Sequence, residues 1–336
     1  MKKAVFTSII IAGFCVFLLM QSPRFNSSGD ELPTFAPDIP PPIEQSCLIT
    51  ELLPDGLIYV YFHANGETGY MDFEEYIVGV LAAEMPASFE LDALRAQAVA
   101  ARSFILYRIQ VYRAHGTPPE HHGADSCTNF AHCVAWRSID EARERWGDNA
   151  DRYESRLREA VESTRGVYMT HDGGVVRAFF FAMSNGRTEN VEDVWSANLP
   201  YLRSVESVGY EHTANFETQV EIPVTEFVDL LRAERPELLV GGILSEAIGE
   251  ITHTDGGRVA RIQIGNQSFR GVEIRRIFGL RSADFEISTD DEYVYFTVRG
   301  FGHGVGMSQH GANALARQGL DWREILMTYY YGVEIP

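Results

Sequence analysis

Helical spacing of apolar residues is the main pattern between residues 70 and 165. In the first part of this region, apolar side chains recur at intervals of three and four, which is typical of amphipathic helices. Four segments are predicted to be helices, the last two of them strongly charged: 73–84, 91–112, 138–146 and 151–163. Asp72 is the predicted N-cap of the first helix, with Glu75 completing a capping box three residues later.

Alternation of apolar and polar residues predicts β-strands on both sides of these helices. The predicted strands are Leu57–Phe62, 166–170, 175–182, 218–222, Val259–Ile264 and 293–298. A further helix is expected at 224–233, inside a smaller insertion of about 212–280, and two short helices follow a Gly-rich turn near the C-terminus. Because strands and helices do not alternate regularly, the predicted fold class is α+β, with mixed helices, antiparallel sheet and a smaller inserted subdomain.

An uncharged apolar run at residues 4–20 follows Lys2 and Lys3. This run predicts one transmembrane helix ahead of the folded part, or the core of a cleaved signal peptide, and the lack of a small-x-small cleavage site favours the uncleaved anchor. Because positive residues stay inside, we expect a single-pass protein of the cell membrane with a cytoplasmic N-terminus and an extracytoplasmic domain. The predicted organisation is an anchor at 1–21, a Pro-rich linker at 22–46 and one folded domain at 47–336.

Charge and lysine content narrow the possible functions. The 336 residues carry 28 basic and 47 acidic side chains, a formal net charge of −19, which argues against a nucleic-acid partner. Lys2 and Lys3 are the only lysines, so the folded part has no Walker-A lysine and no Schiff-base lysine. The candidate reactive groups of the folded part are therefore carboxylates, histidines and cysteines.

Glu84 stands where a helix does not favour a charged carboxylate. It continues the apolar stripe of Ile77 and Leu81, and it lies at the negative, C-terminal end of the predicted helix. Burial and the helix dipole are both expected to raise the pKa of Glu84, which suits a general acid. The alternative is an ordinary buried ion pair with Arg95 or Arg102.

Four potential metal ligands lie within thirteen residues: His121, Cys127, His132 and Cys133. Two imidazoles and two thiolates suit tetrahedral zinc, here as a structural metal that holds a loop beside the helices. The neighbouring His122 is an alternative ligand, and a Cys127–Cys133 disulfide is the alternative to a metal. We expect such a metal to be dispensable for the acid chemistry itself.

Several stretches of the chain resemble the signature of the stage II sporulation protein D family, and they are 74–86, 94–102, 184–190, 192–195, 200–202 and 302–312. Members of this family are membrane-anchored lytic transglycosylases that cut peptidoglycan glycan strands during engulfment of the forespore. The resemblance implies that Glu84 is the catalytic acid, and that the Cys/His loop binds zinc as in a subset of the family. It also implies glycan strands stripped of stem peptides as substrate, stage II sporulation proteins P and M as partners, and the mother-cell engulfing membrane as location.

A lytic transglycosylase needs one carboxylate, which protonates the leaving oxygen of the MurNAc–GlcNAc bond and then accepts the proton of the C6 hydroxyl. The product carries a 1,6-anhydro ring. Hydrolysis would require a second carboxylate, for which Glu189 and Asp193 are candidates. A different hypothesis is a peptidoglycan-binding protein that recruits or activates a partner amidase and cleaves little itself.

Substrate contacts are expected from polar and aromatic residues of these motifs. The candidates are Arg102, Ser184, Asn185, Glu189, Tyr201, His303 and Gln309. The last two belong to the Gly-rich turn, whose alternative role is a tight structural turn that caps the following helix. Tyr201 and Trp195 could stack on sugar rings, although an aromatic residue beside a strand more often belongs to the core.

Overall fold

The computed structural model describes residues 45–129, 132–209 and 213–336. Its helices are α1 (Gln45–Leu52), α2 (Phe73–Glu84), α3 (Leu91–His115), α4 (Ile139–Trp146), α5 (Ala150–Glu162), α6 (Val191–Val194), α7 (Val224–Glu234), α8 (Leu244–Ala247), α9 (Gly271–Phe278), α10 (Gln309–Arg317) and α11 (Trp322–Tyr329). Its strands are β1 (Leu57–Phe62), β2 (Glu67–Asp72), β3 (Ser126–Cys127), β4 (Thr170–His171), β5 (Gly174–Val175), β6 (Phe180–Phe181), β7 (Glu217–Pro223), β8 (Ile248–His253), β9 (Val259–Ile264), β10 (Gln267–Arg270), β11 (Phe285–Thr289), β12 (Tyr293–Arg299) and β13 (Met307–Ser308).

The fold class is α+β, and the predicted transmembrane helix requires a correction. Across the described ranges, no helix combines the length and the apolar character that crossing a bilayer requires. The longest, α3, has 25 residues, but charged side chains recur along it at Asp92, Arg95, Arg102, Arg108 and Arg113. The apolar run at 4–20 and most of the predicted linker lie outside the described residues.

The main hydrophobic core forms around α3. Helices α2, α5, α10 and α11 pack against it. Small buried residues let these neighbours approach closely, and they are Ala93, Ala96, Ala98, Ala100 and Ala101. Large side chains such as Tyr76 and Tyr329 fill the remaining space.

A buried ion pair joins α2 to α3. Arg102 is fully buried, and its Nη2 and Nε donate to the Glu74 carboxylate at 2.5 and 3.1 Å. The same guanidinium donates to the carbonyl of Val167 at 2.9 Å. Arg102 was predicted to bind substrate, but its guanidinium bonds to Glu74 and Val167 inside the core.

A second hydrophobic cluster contains residues from Ile222 to Val298. It is built from the antiparallel sheet β11–β12–β7 and the antiparallel sheet β10–β9–β8, with α7 and α9 packed on them. Phe227, Phe269 and Phe296 are buried at its centre. The insertion boundaries of about 212–280 remain a prediction, and this cluster includes strands up to Arg299.

Local signals define where α2 begins and ends. The Asp72 carboxylate accepts from the backbone N–H of Glu75 at 3.0 Å, as expected of an N-cap. The Glu75 carboxylate does not complete a capping box, because it pairs with Arg158 at 2.5 Å. At the other end, Met85 has extended backbone before Pro86, so Glu84 is the last residue of the helix.

Candidate active site

The Glu84 carboxylate is held by two neutral donors from distant parts of the chain. The backbone N–H of Ala135 donates to Oε1 at 2.9 Å, and Nε2 of Gln309 donates to Oε2 at 3.2 Å. The arginines considered as partners are engaged elsewhere, Arg102 with Glu74 and Arg95 with Asp92. The ion-pair alternative for Glu84 is therefore wrong.

Burial raises the pKa of Glu84 above its usual 4.5, as the helix pattern predicts. The two hydrogen bonds, from Ala135 and Gln309, act in the opposite direction because they stabilise the charged form. No ion pair to Glu84 forms within the described part of the chain. The group is thus a largely buried carboxyl that can hold a proton and, after losing it, is stabilised by two donors.

The two candidates for a second carboxylate lie in another environment. Glu189 is buried, with Oε1 accepting from Arg258 at 3.1 Å and from Thr254 at 2.8 Å. Asp193 accepts from the side chain of Asn190 at 3.0 Å. Neither carboxylate bonds to Glu84 or contributes to the shift of its pKa.

The polar side chains of the loop at 184–190 bond to neighbouring loops and to residues of the second cluster region. Asn185 Nδ2 donates to the carbonyl of Gly256 at 3.1 Å and to Asp284 at 2.9 Å. Ser184 is buried and donates to the carbonyl of Ser207 at 3.3 Å. The Asn185–Gly256 bond and the Glu189–Arg258 pair join the loop to the turn of the β8–β9 hairpin.

The remaining aromatic candidates, Tyr201 and Trp195, lie in or against the core. Tyr201 is buried, and its hydroxyl accepts from the backbone N–H of Arg177 at 3.1 Å. Trp195 is part-buried and packs on Phe179 with 4.6 Å between ring centroids. Of the seven predicted substrate-binding residues, Gln309 is the one that contacts Glu84.

The Gly-rich turn places Gln309. Gly306 has a φ of 75°, and a side chain there would lie 2.0 Å from the carbonyl oxygen of Phe179, so the turn requires glycine. Strand β13 pairs in parallel with β6, and Ser308 then caps α10 by accepting from Gly311 N at 3.2 Å. Gln309 is the first residue of α10, which directs its amide to Glu84.

His303 stabilises the same turn as a neutral imidazole. Its Nε2 donates to the carbonyl of Phe180 at 3.0 Å, and its Nδ1 accepts from Val305 N at 3.1 Å. Burial lowers the pKa of His303 to about 3. This ring therefore serves the turn, with no nitrogen left to bind a ligand.

The low pKa of His303 should make the stability of the protein depend on pH. The unfolded chain takes up a proton near pH 6.5 and the folded chain only near pH 3, so stability falls as pH drops below 6.5. Between pH 7 and 5 we expect a loss of about 1 to 2 kcal/mol from His303. Urea unfolding at both pH values should show a smaller loss in His303→Gln, and an equal loss would contradict this assignment.

The Cys/His residues converge into one cluster. The ligand atoms of His121, Cys127, His132 and Cys133 all lie within 4.8 Å of one another. His121 Nε2 is 3.0 Å from His132 Nδ1 and 3.2 Å from Cys133 Sγ, while Cys127 Sγ is 3.6 Å from His132 Nδ1. Cys127 and Cys133 are free thiols, so the disulfide alternative is not formed. These four side chains can hold a metal ion.

The second nitrogen of His121 fixes the orientation of its ring. Nδ1 lies 3.0 Å from the carbonyl oxygen of Ala124, so it carries the hydrogen and Nε2 faces the cluster. His122, the alternative ligand, has a left-handed backbone with φ of 52° and packs against Tyr61 at 4.3 Å between centroids. His122 is therefore outside the cluster.

Similarity to known proteins covers both the Glu84 site and this cluster. A family model described as stage II sporulation protein matches residues 63–171. Stage II sporulation protein D of Bacillus subtilis (strain 168) is 38% identical over 279 residues, which is 83% of this chain and 78% of that protein. The protein of the same name from Bacillus amyloliquefaciens is 36% identical over 277 residues, 82% of this chain and 77% of that protein.

The chain belongs to the stage II sporulation protein D family. It is thereby a member of a sporulation protein family, as its motifs predict. A more distant relative is an amidase enhancer of Bacillus subtilis (strain 168), 25% identical over 311 residues, which is 76% of this chain and 40% of that protein.

The hydrogen bond from Ala135 to Glu84 could not be predicted from the sequence motifs. Ala135 acts through its backbone N–H, and an alanine two residues after a cysteine has no side-chain signature for that role. The only available signal is its position, immediately after the Cys/His loop and within reach of α2. Sequence patterns single out Glu84 as a candidate, but not the backbone N–H that holds its carboxylate.

Proposed function

We propose that this chain is a lytic transglycosylase that cleaves the MurNAc–GlcNAc bond of peptidoglycan glycan strands, with Glu84 as acid and base. The observation that carries the proposal is the environment of Glu84. Its carboxyl is largely buried at a helix end, has a raised pKa, and is bonded to two neutral donors without a cation. A structural glutamate in this position would be expected to have an ion-pair partner.

The mechanism uses the same carboxyl twice. Protonated Glu84 donates its proton to the bridging oxygen as the C1–O bond breaks, and the positive charge develops at C1. The resulting carboxylate, stabilised by Ala135 N–H and Gln309 Nε2, then accepts the proton of the C6 hydroxyl as O6 bonds to C1. The products are a 1,6-anhydro end and a free 4-hydroxyl, and Glu84 is again protonated.

The isolation of Glu84 favours this reaction over hydrolysis. An inverting hydrolase needs a second carboxylate to activate water, and a retaining one needs it as nucleophile. Glu189 and Asp193 are bonded in the junction with the second cluster and do not act on Glu84. One carboxylate is sufficient when the substrate supplies its own nucleophile.

We further propose zinc at the cluster as a structural metal. Tetrahedral Zn²⁺ with thiolate and imidazole ligands places ligand atoms roughly 3.3 to 3.8 Å apart. Three of the separations here are 3.0, 3.2 and 3.6 Å, and all four ligand atoms lie within 4.8 Å of one another. His121, Cys127, His132 and Cys133 would hold it, and it would cross-link the loop. Four protein ligands leave no position for a water, so the metal takes no part in proton transfer.

The second candidate function is recruitment or activation of a partner amidase. The observation that favours it is the distant similarity to an amidase enhancer. Family resemblance adds strands stripped of stem peptides as substrate, stage II sporulation proteins P and M as partners, and action on the extracytoplasmic side at the engulfing membrane. We propose the substrate, the partners and the location on the basis of this resemblance.

Mass spectrometry of products from purified glycan strands tests the proposed reaction. Incubation with the wild-type protein should release fragments that end in 1,6-anhydro-MurNAc. Reducing ends would show hydrolysis instead. Absence of any product, combined with stimulation of an added amidase, would overturn the proposal in favour of the recruiter.

A further inference from the structure

Three separate segments meet at the Cys/His cluster. His121 ends the 3₁₀ turn Pro119–His121, and Cys127 lies on β3, which is paired with β1. His132 and Cys133 belong to a third segment, residues 132–137, which we call the clamp segment. A metal bound here would fix the clamp segment to the β1–β3 sheet.

The clamp segment continues directly along α2. Two residues after Cys133, the N–H of Ala135 donates to Glu84 Oε1 at 2.9 Å. Trp136 packs on Gly79 so closely that a side chain at this glycine would lie 2.2 Å from Trp136 Nε1. Arg137 N then donates to the carbonyl of Gly79 at 3.1 Å. The segment that provides metal ligands is thus also the segment that contacts the acid.

We propose that metal binding at the cluster positions Glu84, with Cys133 transmitting the constraint to the backbone N–H of Ala135. This inference rests on the proposed function of Glu84. Ala135 is a positioning residue in this scheme, because it orients the carboxyl that reacts. The metal takes no part in the chemistry, yet its loss changes the geometry of the acid.

Cys133 and Ala135 are only two residues apart, so a metal bound to Cys133 can affect the Ala135 N–H through the backbone. Only two planar peptide units separate Cys133 from Ala135, so few backbone dihedrals can change between a fixed cysteine sulfur and the Ala135 N–H. A misplacement of about 1 Å at a reacting group can lower a rate by about a hundredfold. Arg108 also contacts the clamp segment, by donating to the carbonyl of His132, so loss of the metal should loosen the segment without detaching it.

The metal has a larger role in this scheme than the sequence alone suggests. Pattern alone suggests a structural metal that holds a loop beside the helices and is dispensable for the acid chemistry. The hydrogen bond between Ala135 and Glu84 connects the two sites, because one oxygen of the carboxyl depends on the clamp segment. Metal loss is therefore expected to lower the rate of cleavage although the ion touches no substrate.

Amide hydrogen exchange measured by NMR at Ala135 tests the coupling without requiring activity. The samples are the full chain loaded with Zn²⁺, the same chain after chelation, and Cys127→Ser. Cys127 lies on β3, eight residues before Ala135, so it is a ligand outside the clamp segment. His122→Ala is the matched control, since His122 adjoins His121 but packs on Tyr61.

Chelation and Cys127→Ser should each speed exchange at Ala135 by about tenfold, while α2 and the amides of β1 remain protected. Added Zn²⁺ should restore slow exchange in the wild type but not in Cys127→Ser, and His122→Ala should match the wild type. Cleavage by the stripped protein should show kcat lower by about ten- to a hundredfold with little change in KM.

Two results would overturn the coupling. Exchange at Ala135 that is unchanged after confirmed metal loss would show that the clamp segment holds Glu84 unaided. Loss of protection throughout α2 would show that the metal supports the fold as a whole. If exchange responds as expected but no anhydro product forms, the coupling stands and the proposed function fails.

Discussion

Replacing Glu84 with Gln is expected to lower glycan-strand cleavage by about 10² to 10⁴-fold. Glutamine has nearly the same size and its oxygen can still accept from Ala135, but it carries no proton to donate and accepts none at C6. The thermal midpoint should remain near that of the wild type, because no ion pair is lost. The measurements are the initial rate of anhydro-product release by mass spectrometry and the unfolding transition by circular dichroism.

The control is Glu75→Gln, on the same helix. Glu75 is exposed and pairs with Arg158 on the surface, so its substitution should leave the cleavage rate unchanged. In the wild type, the rate should fall as pH rises through the pKa of Glu84, which lies above its usual 4.5, because only the protonated form donates. Activity of Glu84→Gln within a factor of about three of the wild type would rule out its role as acid.

Local signals were sufficient to predict part of the fold. Leu57–Phe62, Phe73–Glu84 and Val259–Ile264 have the predicted bounds, because alternation, an N-cap or a following proline marks them in the sequence. Predicted strand 175–182 is instead two short strands, β5 and β6. The apolar residues there are buried in irregular backbone, and burial without pairing has the same sequence pattern as a strand.

Strands that depend on a partner were not predicted. β2 has few apolar residues and is largely exposed, yet it pairs along its whole length with β1. β8 similarly forms by pairing with β9, through an irregular register. In both cases backbone hydrogen bonds supplied by a neighbouring strand, rather than the strand's own pattern, determine the conformation.

The candidate site, like the fold, could be predicted only in part from the sequence. Glu84 and the Cys/His cluster follow from residue types at informative spacings. Asn185 and Glu189 are polar loop residues, which have the same appearance in a sequence whether they bind a ligand or another loop. Here they bind the β8–β9 hairpin, a tertiary contact that no local pattern encodes.

Replacing Arg102 with Met is expected to destabilise the protein by about 3 to 5 kcal/mol, because it leaves the Glu74 carboxylate buried without its cation. The carbonyl of Val167 loses a donor as well. Urea unfolding followed by circular dichroism gives the change in free energy. The surface control is Arg158→Met, whose partially exposed pairs with Glu75 and Glu154 should contribute less than about 1 kcal/mol.

The double variant Glu74→Leu with Arg102→Met separates the ion pair from the packing around it. With both charges gone, most of the loss should be recovered, since apolar replacements of a buried pair are often nearly neutral. A remaining deficit of about 1 to 3 kcal/mol is expected, because Gly166 N–H and the Val167 carbonyl lose their partners. A double variant no more stable than Arg102→Met alone would show that the guanidinium matters for its volume between α2 and α3 and not for its charge.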